Sequence, residues 1–161
     1  EQPMQLGLFG RLMSTFEIGK TWNPVPLQLL NIVPGNQTFF TSKTLFDLLD
    51  YYEFITDEYV SLHLEHNFNG KIFAKIPLIR DLQWREIIGI RGVIGGISQA
   101  NRDINASDIV YVAPENIYWE YHFGIGNIFK LFRVDFEYRG SYRDAPNATN
   151  FAVKVGFGFY F

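Results

Sequence analysis

A chain of 161 residues, 47% hydrophobic and 17% aromatic with 16 Phe and 9 Tyr, is large enough for one closed barrel or one two-layer core. Its mean hydropathy of −0.03 and the lack of any apolar run near the roughly 20 residues of a spanning helix exclude a helical membrane protein. A net charge of −3 gives no footprint for nucleic acid, and zero Cys excludes disulfides, thiolate chemistry and cysteine-based zinc sites.

In chain order, residues 4–10 and the segment where Phe16, Ile18 and Trp22 alternate with Glu17 and Gly19 are predicted strands. The chain opens on Glu1 with neither an initiator Met nor an export signal, so it reads as a mature or fragmentary piece. Residues 23–42 form a long loop, because Pro24, Pro26 and Pro34 bar any regular element from running through them. Residues 44–54 fit helix or strand, and are assigned to a strand because residues 55–58 then make a compact hairpin link. Residues 58–68 place Val60, Leu62, Leu64 and Phe68 opposite Tyr59, Ser61, His63, Glu65 and Asn67. Residues 70–83 are apolar with basic punctuation, as in a short amphipathic turn at a barrel end or membrane interface, or in a buried loop.

Residues 85–97 set Ile88, Ile90 and Ile94 against Gly89, Arg91 and Gly95, and residues 98–116 follow as a polar long loop. Trp119, Tyr121, Phe123 and Ile125 then alternate with Glu120, His122, Gly124 and Gly126, and residues 126–130 are a hairpin link. The next strand carries Phe132, Val134, Phe136, Tyr138 and Tyr142 on one side. Arg133, Asp135, Glu137, Arg139, Ser141 and Arg143 lie on the other. After a turn-rich loop at 143–149, the last segment puts Phe151, Val153, Val155, Phe157, Phe159 and Phe161 opposite Ala152, Lys154, Gly156, Gly158 and Tyr160. Residues 1–161 are thus expected to be an all-β, antiparallel transmembrane β-barrel, a C-terminal portion with about seven or eight strands, itself part of a larger barrel or complete.

Alternation by itself does not say which face is wet: a soluble barrel buries its apolar face, and a membrane barrel turns it to lipid. Three features favour lipid. The polar faces mix charges with glycines, as a lumen does; Trp22, Trp84, Tyr118, Trp119, Tyr142 and Tyr160 suit interfacial girdles; and the sequence stops on an aromatic residue inside a strand. Glu120, His122, Arg133, Asp135, Glu137 and Arg139 are therefore expected to face a lumen. Phe132, Val134, Phe136, Tyr138, Phe151, Val153, Val155 and Phe157 are expected to face lipid. The expected location is the bacterial outer membrane, with outer-membrane lipid and other outer-membrane proteins as expected partners.

Lys154, Gly156, Phe159 and Phe161 resemble, at all four positions, the C-terminal β-signal of outer-membrane proteins. The resemblance implies that the barrel-assembly machinery reads this strand by edge pairing during biogenesis. If Phe161 ends at the periplasmic rim, the 126–130 link is periplasmic and the 143–149 loop extracellular. A wider resemblance begins near Gly35. The strings Pro34-Gly-Asn-Gln-Thr-Phe-Phe, Asp50-Tyr-Tyr-Glu-Phe, the stretch from Tyr59 to Gly70, Lys75-Ile-Pro-Leu, Trp84-Arg-Glu and the stretch from Gly126 to Asp135 carry it. They are similar to the C-terminal barrel region of a Bacteroidota outer-membrane protein family of unknown function, whose members carry a carboxypeptidase-regulatory-like domain ahead of a barrel. This implies a barrel wall with a structural, transport or assembly role.

Little points to chemistry. Ser61, His63 and Glu65 share a strand face and suggest a barrel-embedded lipid hydrolase, but same-face neighbours lie roughly 6–7 Å apart, too far for short side chains to bond. His66 falls on the opposite face from His63. Asp103, Asp108 and Glu115 lack the spacing of a calcium loop. The sequons at Asn36, Asn105 and Asn147 read as loop residues. No enzyme activity, cofactor or metal is expected. A soluble lipocalin-like barrel binding an apolar ligand is the remaining alternative.

Overall fold

The computed structural model of the protein describes residues 2–105 and 112–158. Among the described residues nine strands form: β1 (Gln2–Gln5), β2 (Arg11–Lys20), β3 (Asn31–Ile32), β4 (Ile55–Thr56), β5 (Glu58–Asn67), β6 (Arg85–Gly96), β7 (Tyr118–Ile128), β8 (Phe132–Arg139) and β9 (Phe151–Phe157). Seven of them make one antiparallel sheet in the order β1-β2-β5-β6-β7-β8-β9, while β3 and β4 make a separate two-stranded ribbon. The sheet is an up-and-down meander interrupted only between β2 and β5. Among the described residues its outer strands, β1 and β9, are not paired with each other.

Period-two alternation explains why these segments pair as they do. With a side-chain repeat of two, a slip of one residue would exchange the faces, so the register is tightly held. Val60 sits opposite Ile94, Ile88 opposite Phe123, Phe123 opposite Phe136 and Val134 opposite Val155, which keeps the apolar row continuous across five strands. The polar row is equally continuous, with Arg91 opposite Glu120, Glu120 opposite Arg139, and Asp135 opposite Lys154.

One face of this sheet is covered by the residues that join β2 to β5. Val33, Phe46, Leu49 and Phe54 from that segment meet Val93 and Tyr118 from the sheet in a buried cluster. The rings of Phe46 and Phe54 each stand edge-on to Tyr118, at 5.5 Å. A second cluster joins Leu30 and Ile55 to Ile97 and Ala113. The short helix α2 (Gln99–Ile104) lies at this end, with Ser98 as its N-cap. It occupies part of the stretch 98–116 expected to be a loop.

Five expectations are corrected. The strand expected over residues 4–10 ends at Gln5 and gives way to a 3-10 turn at Gly7–Phe9, where Gly7 and Gly10 both take positive φ. Residues 44–54 are an irregular covering segment, because the apolar side chains Phe46, Leu48 and Leu49 are all buried rather than alternating. Residues 55–58 are accordingly no hairpin link: Ile55 and Thr56 pair with β3, and β5 begins at Glu58. The strand expected to continue through 143 ends at Arg139. Tyr142, with φ +53°, turns inward so that its ring meets Phe54 at 5.1 Å. Tyr118, expected in an interfacial girdle, is wholly buried against Phe46, Phe54 and Glu120.

At the opposite end, the β5–β6 connection contains the one-turn helix α1 (Pro77–Arg80) and is exposed, not buried. Leu78 is 89% exposed there, and Phe129 in the β7–β8 turn is 85% exposed. Lys71, Lys75, Arg80 and Lys130 belong to the same end.

Candidate functional site

The polar face of the sheet and the segment that covers it form a dense charged interior. Strand pleating sends Arg91, Glu120, His122, Arg133, Asp135, Glu137, Arg139 and Lys154 to one side, and all of them are buried. Burying so many charges is tolerable only where each meets partners.

Arg91 is the hub. Its guanidinium donates to Asp47 at 2.6 Å, to Glu120 at 3.1 Å, and to the carbonyls of Leu45 and Ser42 at 3.2 and 2.9 Å. Glu120 accepts in turn from the backbone N–H groups of Asp47 and Leu48, at 2.6 and 3.1 Å, and from the Tyr118 hydroxyl at 2.8 Å. One sheet carboxylate thus holds two consecutive amides of the covering segment, and one sheet arginine holds its carbonyls. Arg139 donates to the Leu48 carbonyl at 3.2 Å and to Glu53, while lying 5.0 Å from the Tyr118 ring centre.

A second group lies lower on the same face. Arg133 is bound to Asp135 at 2.7 Å and to Glu65 at 2.8 Å, with His122 at 3.1 Å. His122 in turn lies over Gly89, where a Cβ would stand 2.2 Å from the imidazole, so the pairing strand must carry glycine there. Neither oxygen of Glu137 has a hydrogen-bond partner among the described residues; Arg91 at 3.8 Å and His122 at 3.7 Å are its facing groups.

The Ser61 cluster is dispersed. Ser61 and His63 are buried, but the His63 ring packs edge-on to Phe46 at 4.8 Å, and Glu65 is drawn to Arg133 and His122. No hydrogen bond joins Ser61, His63 and Glu65 to one another among the described residues. His66 is bound to the Phe9 carbonyl at 2.7 Å and stacked on Phe68. Among the described residues no three His, Asp or Glu side chains converge as a metal site. Glu115 pairs with Arg102 at 3.0 Å and Asp103 with Gln99 at 2.7 Å, while Asp108 lies outside the described residues. Asn36 is buried in the covering segment, bonded to Asp47 and to the Phe40 carbonyl at 2.6 Å.

The other face is the reverse of a soluble surface. Phe132, Tyr138, Phe151, Val153 and Phe157 are exposed, and Val134, Phe136 and Val155 are half-buried. The same face of the earlier strands shows Phe16 at 64% and Ile18 at 71% exposure, with Ile88, Ile90 and Ile94 also exposed. Of the terminal motif, Lys154 is buried and Gly156 lies in β9, whereas Phe159 and Phe161 lie outside the described residues.

Sequence reasoning missed the covering segment's anchors, Asp47, Glu53 and Asn36. The available signal was Arg91, which stands between Gly89 and Val93 on its strand face with no acidic neighbour beside it. One acidic side chain at the other end is also tightly held. Asp57 accepts from the Ser98 N–H at 2.7 Å, its hydroxyl at 2.5 Å and the Asn101 amide at 2.7 Å. Burial by itself would raise its pKa, and these hydrogen bonds outweigh that and hold it below the usual carboxylate range.

No curated protein and no solved structure matches the chain. A family model described as the C-terminal domain of a family of unknown function, DUF5686, matches residues 1–96, from β1 through β6. That span is more than half of the 161 residues, and the chain belongs to the DUF5686 C-terminal domain family.

Proposed function

We propose that this domain is a wall segment of an outer-membrane β-barrel, without enzymatic activity, serving a structural, transport or assembly role. The observation that supports it is the inverted polarity of the sheet: arginines and carboxylates buried on one face, aromatic and branched side chains exposed on the other. In water such a face is an aggregation liability; against hydrocarbon it is the arrangement that strands require, polar inward and apolar outward. The exposed Leu78 and Phe129 at the short-turn end, among Lys71, Lys75 and Lys130, suit an interfacial zone. With the brief β1–β2 and β7–β8 turns at that end and the long β2–β5 and β6–β7 connections at the other, that end is assigned to the periplasm.

The covering segment favours a structural or assembly role over an open porin, because its backbone is bonded to Arg91, Glu120 and Arg139 across the polar face. A lipocalin-like protein would turn its aromatic rows inward, opposite to the arrangement of Phe123, Phe132 and Tyr138. The test is fractionation and gel migration. The reading expects recovery with the outer membrane, heat-modifiable migration in detergent and labelling of the Phe151–Phe157 face by a lipid-phase probe. Recovery as a soluble monomer without detergent overturns it.

A further inference from the structure

The outer edge of β9 is occupied by the chain itself. Hydrogen bonds toward β8 come from the even-numbered positions of this segment, as at its two flanks, where Arg139 N–H donates to the Asn150 carbonyl and Gly158 N–H to the Leu131 carbonyl. The backbone groups of Phe151, Val153, Val155 and Phe157 therefore turn to the open side. At Val155 that side is filled: Val155 N–H donates to the Phe39 carbonyl at 2.8 Å, and Thr41 N–H donates to the Val155 carbonyl at 3.0 Å. Phe40 pairs with Val155 in parallel, and its ring lies 5.6 Å from that of Phe157.

Two residues of the terminal motif serve this contact. The Lys154 ammonium, buried, donates to the carbonyls of Asn36 and Thr38 at 2.7 and 2.6 Å. Gly156 leaves room for Thr41: a Cβ there would stand 2.7 Å from the Thr41 methyl. We propose that the edge of β9 is a strand-docking site that residues 36–41 fill as a strap, held by Lys154 and Gly156, and that the strap leaves when a strand of the same wall pairs with β9. The strap runs parallel in a sheet otherwise antiparallel, and it engages Val155 where a full strand would engage all four outward residues. An entering antiparallel strand therefore makes more backbone bonds than the strap does, and in hydrocarbon every edge group left unpaired carries a heavy cost.

This inference rests on the barrel-wall reading, and its test separates the two. The sequence is free of cysteine, so Phe40→Cys with Val155→Cys, introduced into the full chain, gives one defined lock. Under oxidation the heat-modifiable form should fall about tenfold, and reductant should restore it. Equal assembly of the locked and reduced forms overturns the proposal, making the strap a permanent part of the wall. If the unaltered chain itself shows no heat-modifiable form, the wall reading has failed and the entering strand with it.

The strap's mode of attachment is tested independently by amide exchange at Thr41. Gly156→Ala should speed it about tenfold, and Thr41→Ser in the same molecule, which deletes only the opposing methyl, should slow it again. Lys154→Met should speed the same amide without altering position 156. Unchanged exchange in either variant overturns the assigned roles of Lys154 and Gly156.

Discussion

The two faces of the sheet follow opposite rules, though their residues alternate along the same strands. On the covered face, stability rests on pairing: Arg91 is held by two carboxylates and two carbonyls. On the open face the neighbours of Val153 are whatever surrounds the protein, and stability rests on that solvent. The difference teaches that burial here does not mean apolarity. A charged substitution should be most costly where the side chain is exposed, and an apolar one where it is buried.

The largest effect is expected at the hub. Arg91→Met leaves Asp47 and Glu120 buried without their cation and should cost about 3–5 kcal/mol in chemical denaturation. An unaltered midpoint would show that the covering segment is held by its apolar side chains instead. Next, Val153→Arg on the open face should cost about 2–4 kcal/mol in lipid or detergent. A change under about 0.5 kcal/mol is what an ordinary wet surface gives, and would erase the contrast between the faces.

Asp57 sharpens the comparison from outside the strands. Asp57→Asn weakens the hydrogen bonds from Ser98 and Asn101 and should cost about 1–3 kcal/mol at neutral pH. Because the folded pKa is lowered, its contribution is complete above the unfolded carboxylate value and disappears as pH falls through the folded one. Stability measured against pH should therefore show the wild type and Asp57→Asn converging in strong acid; parallel curves would count against the assignment. The smallest effect belongs to Lys20→Ala. Lys20 and Glu58 meet at 2.8 Å with both side chains about half exposed, and denaturation should show the smallest loss of the series, one that shrinks with added salt.

Strands β5 to β9 were legible because each alternates over seven or more residues, and a two-residue repeat is a local property. The segment at 44–54 was not. Leu45, Phe46, Leu48 and Leu49 surround one aspartate, and no window of that size reveals that Asp47 meets an arginine 44 positions away and a glutamate carboxylate 73 positions away. Tyr118 and Tyr142 were misplaced for the same reason: an aromatic residue at a strand end suits an interface or a core, and Phe54 decides between them only once the chain has folded back.

From its sequence by itself, this protein has an all-β pattern, a polar row and an apolar row of defined membership, and no metal or nucleophile constellation of recognised spacing. Those follow from side-chain alternation and residue chemistry. Only the tertiary structure decided that the charges are buried against a segment from the same chain, and that Lys154 and Gly156 hold its strap at the last edge. Such pairings join residues more than a hundred positions apart, as Lys154 and Asn36 do, and backbone carbonyls that no side-chain pattern encodes.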